Sequence, residues 1–365
     1  MNSARILATY RISASESESR ARADALAAEQ SVEMPVSANG DARVLEEIVA
    51  TVESIRPHAG EFDVVLGIAP ATTGGEASQL LNMLFGNCSL QPEVALIDVA
   101  FPPGYEKAFP GPRFGIDGIR ALTGVHGRAL TCTALKPQGS TVEYLAHLAH
   151  SFALAGIDVI KDDHGLANQA FSPFVERVPA VQRAIAEANR ETGGATIYAP
   201  TFSGGPAALR EQARIAKSCG VRMALIAPML VGVPAFIELQ VELDMPILAH
   251  PAFGGATRIA PPLLVGKLLR LFGADATIFP NHGGRFSYSR ATCLAIAGAA
   301  REPWDEVKPI LPVPAGGMTV ERVPEMIAGY GKDTMLLIGG GLLSAGSHLM
   351  EKSREFVARV AEPTA

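Results

Sequence analysis

Cysteine is scarce in this chain, and the four that occur, Cys88, Cys132, Cys219 and Cys293, are widely scattered. No two form a CxxC pair and none has zinc-site spacing to a histidine, which excludes a disulfide scaffold and a structural zinc centre. Small buried thiols are expected instead. Basic runs and basic–aromatic stripes are missing too, and the net charge is −6. A general nucleic-acid binder is thereby excluded, while a local positive site for a phosphorylated ligand is not. No apolar run is long enough to span a bilayer, and residues 1–10 lack an apolar signal core. We therefore expect no membrane partner and a cytoplasmic location.

What is present suits a compact α/β enzyme: 365 residues, 48% hydrophobic and 19% charged, enough for one large domain and a smaller one. From about residue 129 the chain repeats one plan, a short apolar run followed by a segment with helical periodicity. The runs are Leu130–Leu135, Asp158–Ile160, Ala195–Ala199, Arg222–Ala227, Pro246–Ala249, Ala276–Phe279, Ile310–Val313 and Thr334–Ile338. Between them, segments such as Val142–Leu154, Ala207–Lys217 and Leu263–Leu271 place leucine and alanine at helical spacing. Eight strand–helix units with right-handed crossovers close into a (β/α)8 TIM barrel; an open doubly wound sheet uses the same units but seldom eight so evenly spaced. The earlier part reads differently, with strands at Ile6–Ile12 and Phe62–Ile68 and helices at Arg20–Gln30 and Ser78–Phe85. The expected architecture is a small α+β domain over residues 1–115 and a barrel over 116–365, joined through the Pro/Gly-rich stretch Phe101–Pro112.

In such barrels the polar residues at the carboxyl ends of the strands make the active site. The second run ends in Lys161-Asp162-Asp163-His164. Alternation along a strand sends Lys161 and Asp163 to one face, with His164 joining them where the strand opens into its loop. A lysine among carboxylates is either ion-paired or converted to an anionic carbamate beside a divalent cation. Lys136-Pro137 ends the first run; Lys136 is a candidate base, or a partner in an ion pair across the barrel mouth. Ala315-Gly316-Gly317 and Gly339-Gly340-Gly341 end the last two runs, where barrel loops commonly offer backbone N–H groups to phosphate. His250 and His282 end the fifth and sixth runs and are candidates to bond a substrate hydroxyl or carry a proton, His282 with the smaller weight. Arg285 stands on a loop after the sixth.

These residues, in this order, resemble the RuBisCO superfamily over nearly the full length, and within it the RuBisCO-like (form IV) proteins that do not fix carbon dioxide. Lys136-Pro-Gln-Gly139 is similar to the first-strand KPxxG segment, which implies that Lys136 abstracts a proton. Gly156–Asp163 is similar to the metal-site segment, implying Mg²⁺ held by Asp163 and by Lys161 carbamylated with CO₂, with His164 in the third ligand position. Ala28-Glu29-Gln-Ser31 and Gly86-Asn87 resemble N-terminal segments that complete a neighbouring subunit's site, implying a homodimer with shared active sites and substrate-binding roles for Glu29 and Asn87. The glycines at 316, 317, 339, 340 and 341 match the phosphate loops, and His250 the fifth-strand histidine.

Departures are equally informative. Carboxylating members have glutamate where His164 stands, and an arginine where Pro251 follows His250, which implies a single phosphate on the substrate. A mobile-loop lysine for carboxylation is not recognisable. The resemblance thus implies Mg²⁺-dependent enolisation of a phosphorylated ketose. The expected enzyme is a 5-methylthioribulose-1-phosphate isomerase of methionine salvage. The alternatives are a decarboxylase or C–C hydrolase of a β-keto sugar-acid phosphate, a 2,3-diketo-5-methylthiopentyl-1-phosphate enolase, and a barrel that only senses a sugar phosphate.

Overall fold

The computed structural model describes residues 4–286 and 288–362 and divides into two compact units. The first comprises Met1–Pro110 together with Phe253–Leu264, so a loop distant in sequence folds with the N-terminal part. Its sheet is antiparallel, in the order β2-β3-β1-β4, from β1 (Ile6–Ile12), β2 (Thr51–His58), β3 (Glu61–Ile68) and β4 (Val94–Ala100). Strand β1 alternates buried Ile6, Ala8, Tyr10 and Ile12 with more exposed Leu7, Thr9 and Arg11. Such a period of two lays one face on the helices and leaves the other open. Those helices run Glu16–Glu29 and Ala77–Phe85, and Tyr10 Oη fastens the second by donating to the Leu84 carbonyl at 2.7 Å. Strand β4 is covered on its outer side by the returning loop: Leu96 N–H donates to Arg258 O (2.9 Å), Ala260 N–H to Leu96 O (2.8 Å), and Arg258 Nε to Val94 O (2.9 Å).

The second unit, Gly111–Ala252 with Val265–Ala365, is an α/β barrel with parallel strands at every expected position. They are β5 (Leu130–Leu135), β6 (Val159–Asp162), β7 (Ile197–Ala199), β8 (Thr201–Phe202), β9 (Ala224–Ile226), β10 (Ile247–Ala249), β11 (Ala276–Pro280), β12 (Leu311–Ala315) and β13 (Met335–Leu337). Two arcs of ladder form it, β13-β5-β6-β7 and β12-β11-β10-β9-β8. Both breaks have a proline cause. Pro200 splits the third strand into β7 and β8. In β12, Leu311 N–H and Ala315 O face β11, so the alternate residues Pro312 and Pro314 face β13 without an N–H to give. Thr334 Oγ1 spans that seam by donating to Pro312 O at 2.9 Å.

The interior is filled by side chains such as Leu130, Val159, Leu225, Leu248, Ile278 and Val313, with Ile116 and Ile119 of the helix Gly115–Thr123 joining the same cluster. Full burial of a leucine or valine contributes about 1.5–3 kcal/mol. Val142–Leu154 is a helix as expected, whereas Leu263–Leu271 lies within a π-helical stretch, Pro262–Leu268, that passes into a short α turn. Of the cysteines, Cys88, Cys132 and Cys293 are buried and Cys219 is partly so, all unpaired. Among the described residues, no helix is long and apolar enough to cross a membrane.

Candidate active site

Strand register places the first lysine. In the parallel pair β5–β6, Leu135 stands beside Asp162, so Lys136 emerges from β5 level with Asp163. Its Nζ meets Asp163 Oδ1 at 2.5 Å, and His164 Nδ1 meets the same oxygen at 3.2 Å. Burial alone raises the pKa of Asp163, but the hydrogen bonds from His164 and Lys136 outweigh it and hold the carboxyl well below its usual range.

Lys161 shares the buried face expected from alternation, and its Nζ donates to the Asp162 carbonyl at 2.9 Å. Desolvation, helped by the charge of Lys136, pushes its ammonium pKa down. Asp162 itself turns to the opposite face.

His250, after β10, lays its ring on that of His164 with centroids 4.2 Å apart and planes 10° from parallel. Its Nδ1 accepts the Ala252 N–H at 3.1 Å, which leaves the proton of the neutral ring on Nε2. Burial pushes its pKa down to about 2, and the charges of Lys161 and His164 act in the same direction. His250 is therefore a neutral Nε2–H donor throughout the physiological range.

The glycine loops end neighbouring strands. A methyl group on Gly339 would lie 3.9 Å from Lys136 Cε, and one on Gly341 would be 2.7 Å from Met318 O. One on Gly340 would meet nothing within 4 Å. Gly316 and Gly317 have φ of 79° and 81°, and a methyl on Gly317 would sit 2.7 Å from Gly284 Cα, so the loops after β11 and β12 meet backbone to backbone. His282 is occupied by structural pairing: its Nε2 is 3.5 Å from Glu325 Oε1 and its carbonyl accepts from Arg322 Nη1 at 3.0 Å. Arg285 places its guanidinium over the Phe286 ring at 5.4 Å.

In the first unit, Asn87 Nδ2 donates to Glu29 Oε1 at 3.0 Å and to Glu33 Oε1 at 3.1 Å. The sequence reading paired Glu29 and Asn87 but passed over Glu33, which reaches the same amide from a left-handed turn (φ 53°) that no spacing rule signals. Among the described residues no three His, Cys, Asp or Glu side chains stand together as a metal site.

Known proteins match this chain closely in sequence and fold. The catalytic domain of the ribulose bisphosphate carboxylase large chain matches as a family model over residues 115–277. The crystal structure of a Rubisco-like protein from Rhodopseudomonas palustris superposes with a TM-score of 0.92 at 50% identity, covering 98% of each chain. A relative from Rhodospirillum rubrum, named 5-methylthioribulose-1-phosphate isomerase, is 52% identical over 98% of this chain and 96% of its own length. The chain belongs to the RuBisCO family, among its RuBisCO-like proteins. A further RuBisCO-like relative, the Geobacillus kaustophilus protein named 2,3-diketo-5-methylthiopentyl-1-phosphate enolase, is 38% identical over 72% of this chain and 66% of its own length. The barrel and the RuBisCO-like membership expected from the motifs agree with these relatives.

Proposed function

We propose that this RuBisCO-like protein is an isomerase of 5-methylthioribulose 1-phosphate in methionine salvage, working by Mg²⁺-dependent enolisation. The observation that carries the reading is the convergence of Lys136, Asp163, His164 and His250 at the carboxyl ends of β5, β6 and β10, with Lys161 buried beside them. Supporting it, similarity to the Rhodospirillum rubrum isomerase extends over nearly the whole chain, while that to the Geobacillus kaustophilus enolase covers 72% of it.

The donor set fits a divalent cation under one condition. With both lysines protonated, two ammonium groups surround the single carboxylate of Asp163, an arrangement that repels Mg²⁺. Attack of the neutral Lys161 amine on CO₂, with loss of a proton, replaces a positive charge by an anionic carbamate and supplies the oxygen donors Mg²⁺ prefers. Burial favours the neutral amine that this step needs. Carbamylated Lys161, Asp163 and His164 are then the ligands. When bound, the cation supplies Lewis-acid stabilisation of charge on adjacent sugar oxygens.

The chain's own groups do the rest. Lys136, released from its ion pair with Asp163 and deprotonated to the free amine, takes the proton from the carbon next to the ketone on Nζ; the C–H electrons form the new C=C bond and the carbonyl π electrons move to oxygen, giving the enediolate. His250 donates from Nε2 to a substrate oxygen. Return of a proton to the former carbonyl carbon gives the isomer, with no atoms gained or lost. Backbone N–H groups of Gly316, Gly317, Gly339, Gly340 and Gly341 receive the phosphate. The enzyme is cytoplasmic and a homodimer, with Glu29 and Asn87 of one copy completing the site of the other.

Proton NMR of 5-methylthioribulose 1-phosphate in D₂O, with Mg²⁺ and bicarbonate, tests this reading. A new ketose carrying deuterium, absent with Lys136→Ala and with Lys161→Ala, is the expected result. No exchange by the wild type would overturn the substrate, and release of CO₂ from a β-keto sugar-acid phosphate would identify a decarboxylase instead.

A further inference from the structure

Behind the candidate site lies a second polar cluster, fully buried and assigned no part in the chemistry. Asp162 points away from Lys161 and Asp163, and both its oxygens are engaged. Oδ1 accepts from Tyr198 Oη at 2.7 Å; Oδ2 accepts from Arg177 Nε at 3.2 Å and from Thr201 N–H at 3.1 Å. Arg177, on the helix Phe174–Thr192, has no solvent exposure. Its remaining donors hold the loop that leaves His164: Nη1 donates to Ser172 O at 2.5 Å, and Nη2 to Ala167 O at 2.8 Å and Leu166 O at 3.4 Å. Thr201 also grips the other side of the site, its Oγ1 donating to the Asp163 carbonyl at 3.0 Å.

A buried ion pair of this kind is an inefficient source of stability, because well-packed apolar side chains of the same volume serve as well or better. What it supplies here is geometry. One guanidinium joins the strand before Asp163 to the loop after His164, and one threonine hydroxyl joins the Asp163 backbone to β8. Charge balance suits this role too, since Arg177 and Asp162 neutralise each other and leave the net charge at the mouth to Lys136, Lys161 and Asp163. Burial lifts the Tyr198 phenol well above its ordinary pKa, so it remains a donor at any working pH.

We propose that Arg177, Asp162, Tyr198 and Thr201 are positioning residues that preset Asp163 and His164 for divalent-cation binding. The inference rests on the proposed role of those two residues as ligands. Its test is cation affinity, read by electron paramagnetic resonance of Mn²⁺ with bicarbonate present, in the wild type and in two single-hydroxyl deletions, Tyr198→Phe and Thr201→Val. Removing the whole arginine risks the fold; these two changes do not. Outer partners of this sort typically set metal affinity by about 10- to 100-fold. We expect the Mn²⁺ Kd to rise about 10-fold or more in at least one variant, with near-UV circular dichroism unchanged, kcat lowered and KM held at saturating metal. Wild-type affinity in both variants would overturn the positioning role while leaving the proposed function standing. Failure of the wild type itself to bind Mn²⁺ would instead remove the ligand assignment, and the inference with it.

Discussion

The two ends of the barrel treat their carboxylates in opposite ways. At the amino end, Asp158 accepts from Arg128 Nη1 (2.8 Å) and Nη2 (2.9 Å), from Thr131 N–H (2.8 Å) and from Thr131 Oγ1 (2.9 Å). Asp275 likewise accepts three backbone N–H groups, those of Phe114 and Gly115 at 2.7 Å and of Ile247 at 2.9 Å. At the carboxyl end, Asp163 gathers Lys136 and His164 on one oxygen, next to a second lysine buried without a carboxylate of its own. A bond network spread over backbone and arginine fixes loops and has no spare capacity. Side-chain cations crowded on one oxygen can be rearranged by a ligand, and this is how the barrel separates stability from chemistry.

The sharpest way to break that contrast is Lys136→Ala. It should lower kcat by about 10³-fold, as loss of a positioned base does, while the urea midpoint stays close to wild type; a variant that unfolds but keeps its turnover would reverse the assignment. Next in size, Asp158→Ala leaves Thr131 without its acceptor and the partly exposed Arg128 guanidinium with only the Ala129 carbonyl, and should cost about 1–3 kcal/mol in urea unfolding. Turnover per folded molecule should be unchanged.

Asn87→Ala lies on the surface of the first unit and should leave stability within about 0.5 kcal/mol, as exposed substitutions usually do, while abolishing most activity. Mixing it with Lys136→Ala and allowing subunits to exchange should restore about a quarter of wild-type activity, because hybrid dimers regain one intact site. No recovery would exclude sharing of sites between copies.

The smallest effect is also the one with opposite signs at the two ends. Asp163 has a depressed pKa when folded, so its contribution is present above the unfolded carboxylate value of about 3.9 and is lost as pH falls through the folded value. For Asp275, burial raises the pKa despite three N–H donors, so its contribution is full below that unfolded value and is lost as pH rises through the folded one. The free energy of unfolding, measured from pH 3 to 7, should therefore fall less steeply toward acid in Asp163→Asn, and less steeply toward alkaline pH in Asp275→Asn. Parallel curves for both variants and wild type would sink the comparison.

Much of this was legible in the sequence because barrel strands are short apolar runs between turn signals, and each run returned a strand. Alternation likewise put Lys161 and Asp163 together and Asp162 apart. The edge strand Thr51–His58 was not legible: it is largely exposed, carries Pro57, and offers little hydrophobic period. Nor was Arg177, which reaches Asp162 from a helix across a loop, a contact fixed by tertiary packing and not by any local spacing. Phe253–Leu264 was hidden for the same reason, since its attachment is to a strand about 160 residues earlier, as in the Arg258–Val94 bond.

That attachment imposes an order on synthesis. The first stretch of the N-terminal unit comes off the ribosome first, but the outer edge of β4 is closed only by residues 258–260, after all of the barrel's first five strands have been made. Until then the nascent sheet carries an open edge able to pair with another chain. The earliest domain in the sequence is thus finished only once five strands of the barrel that follows it have been made.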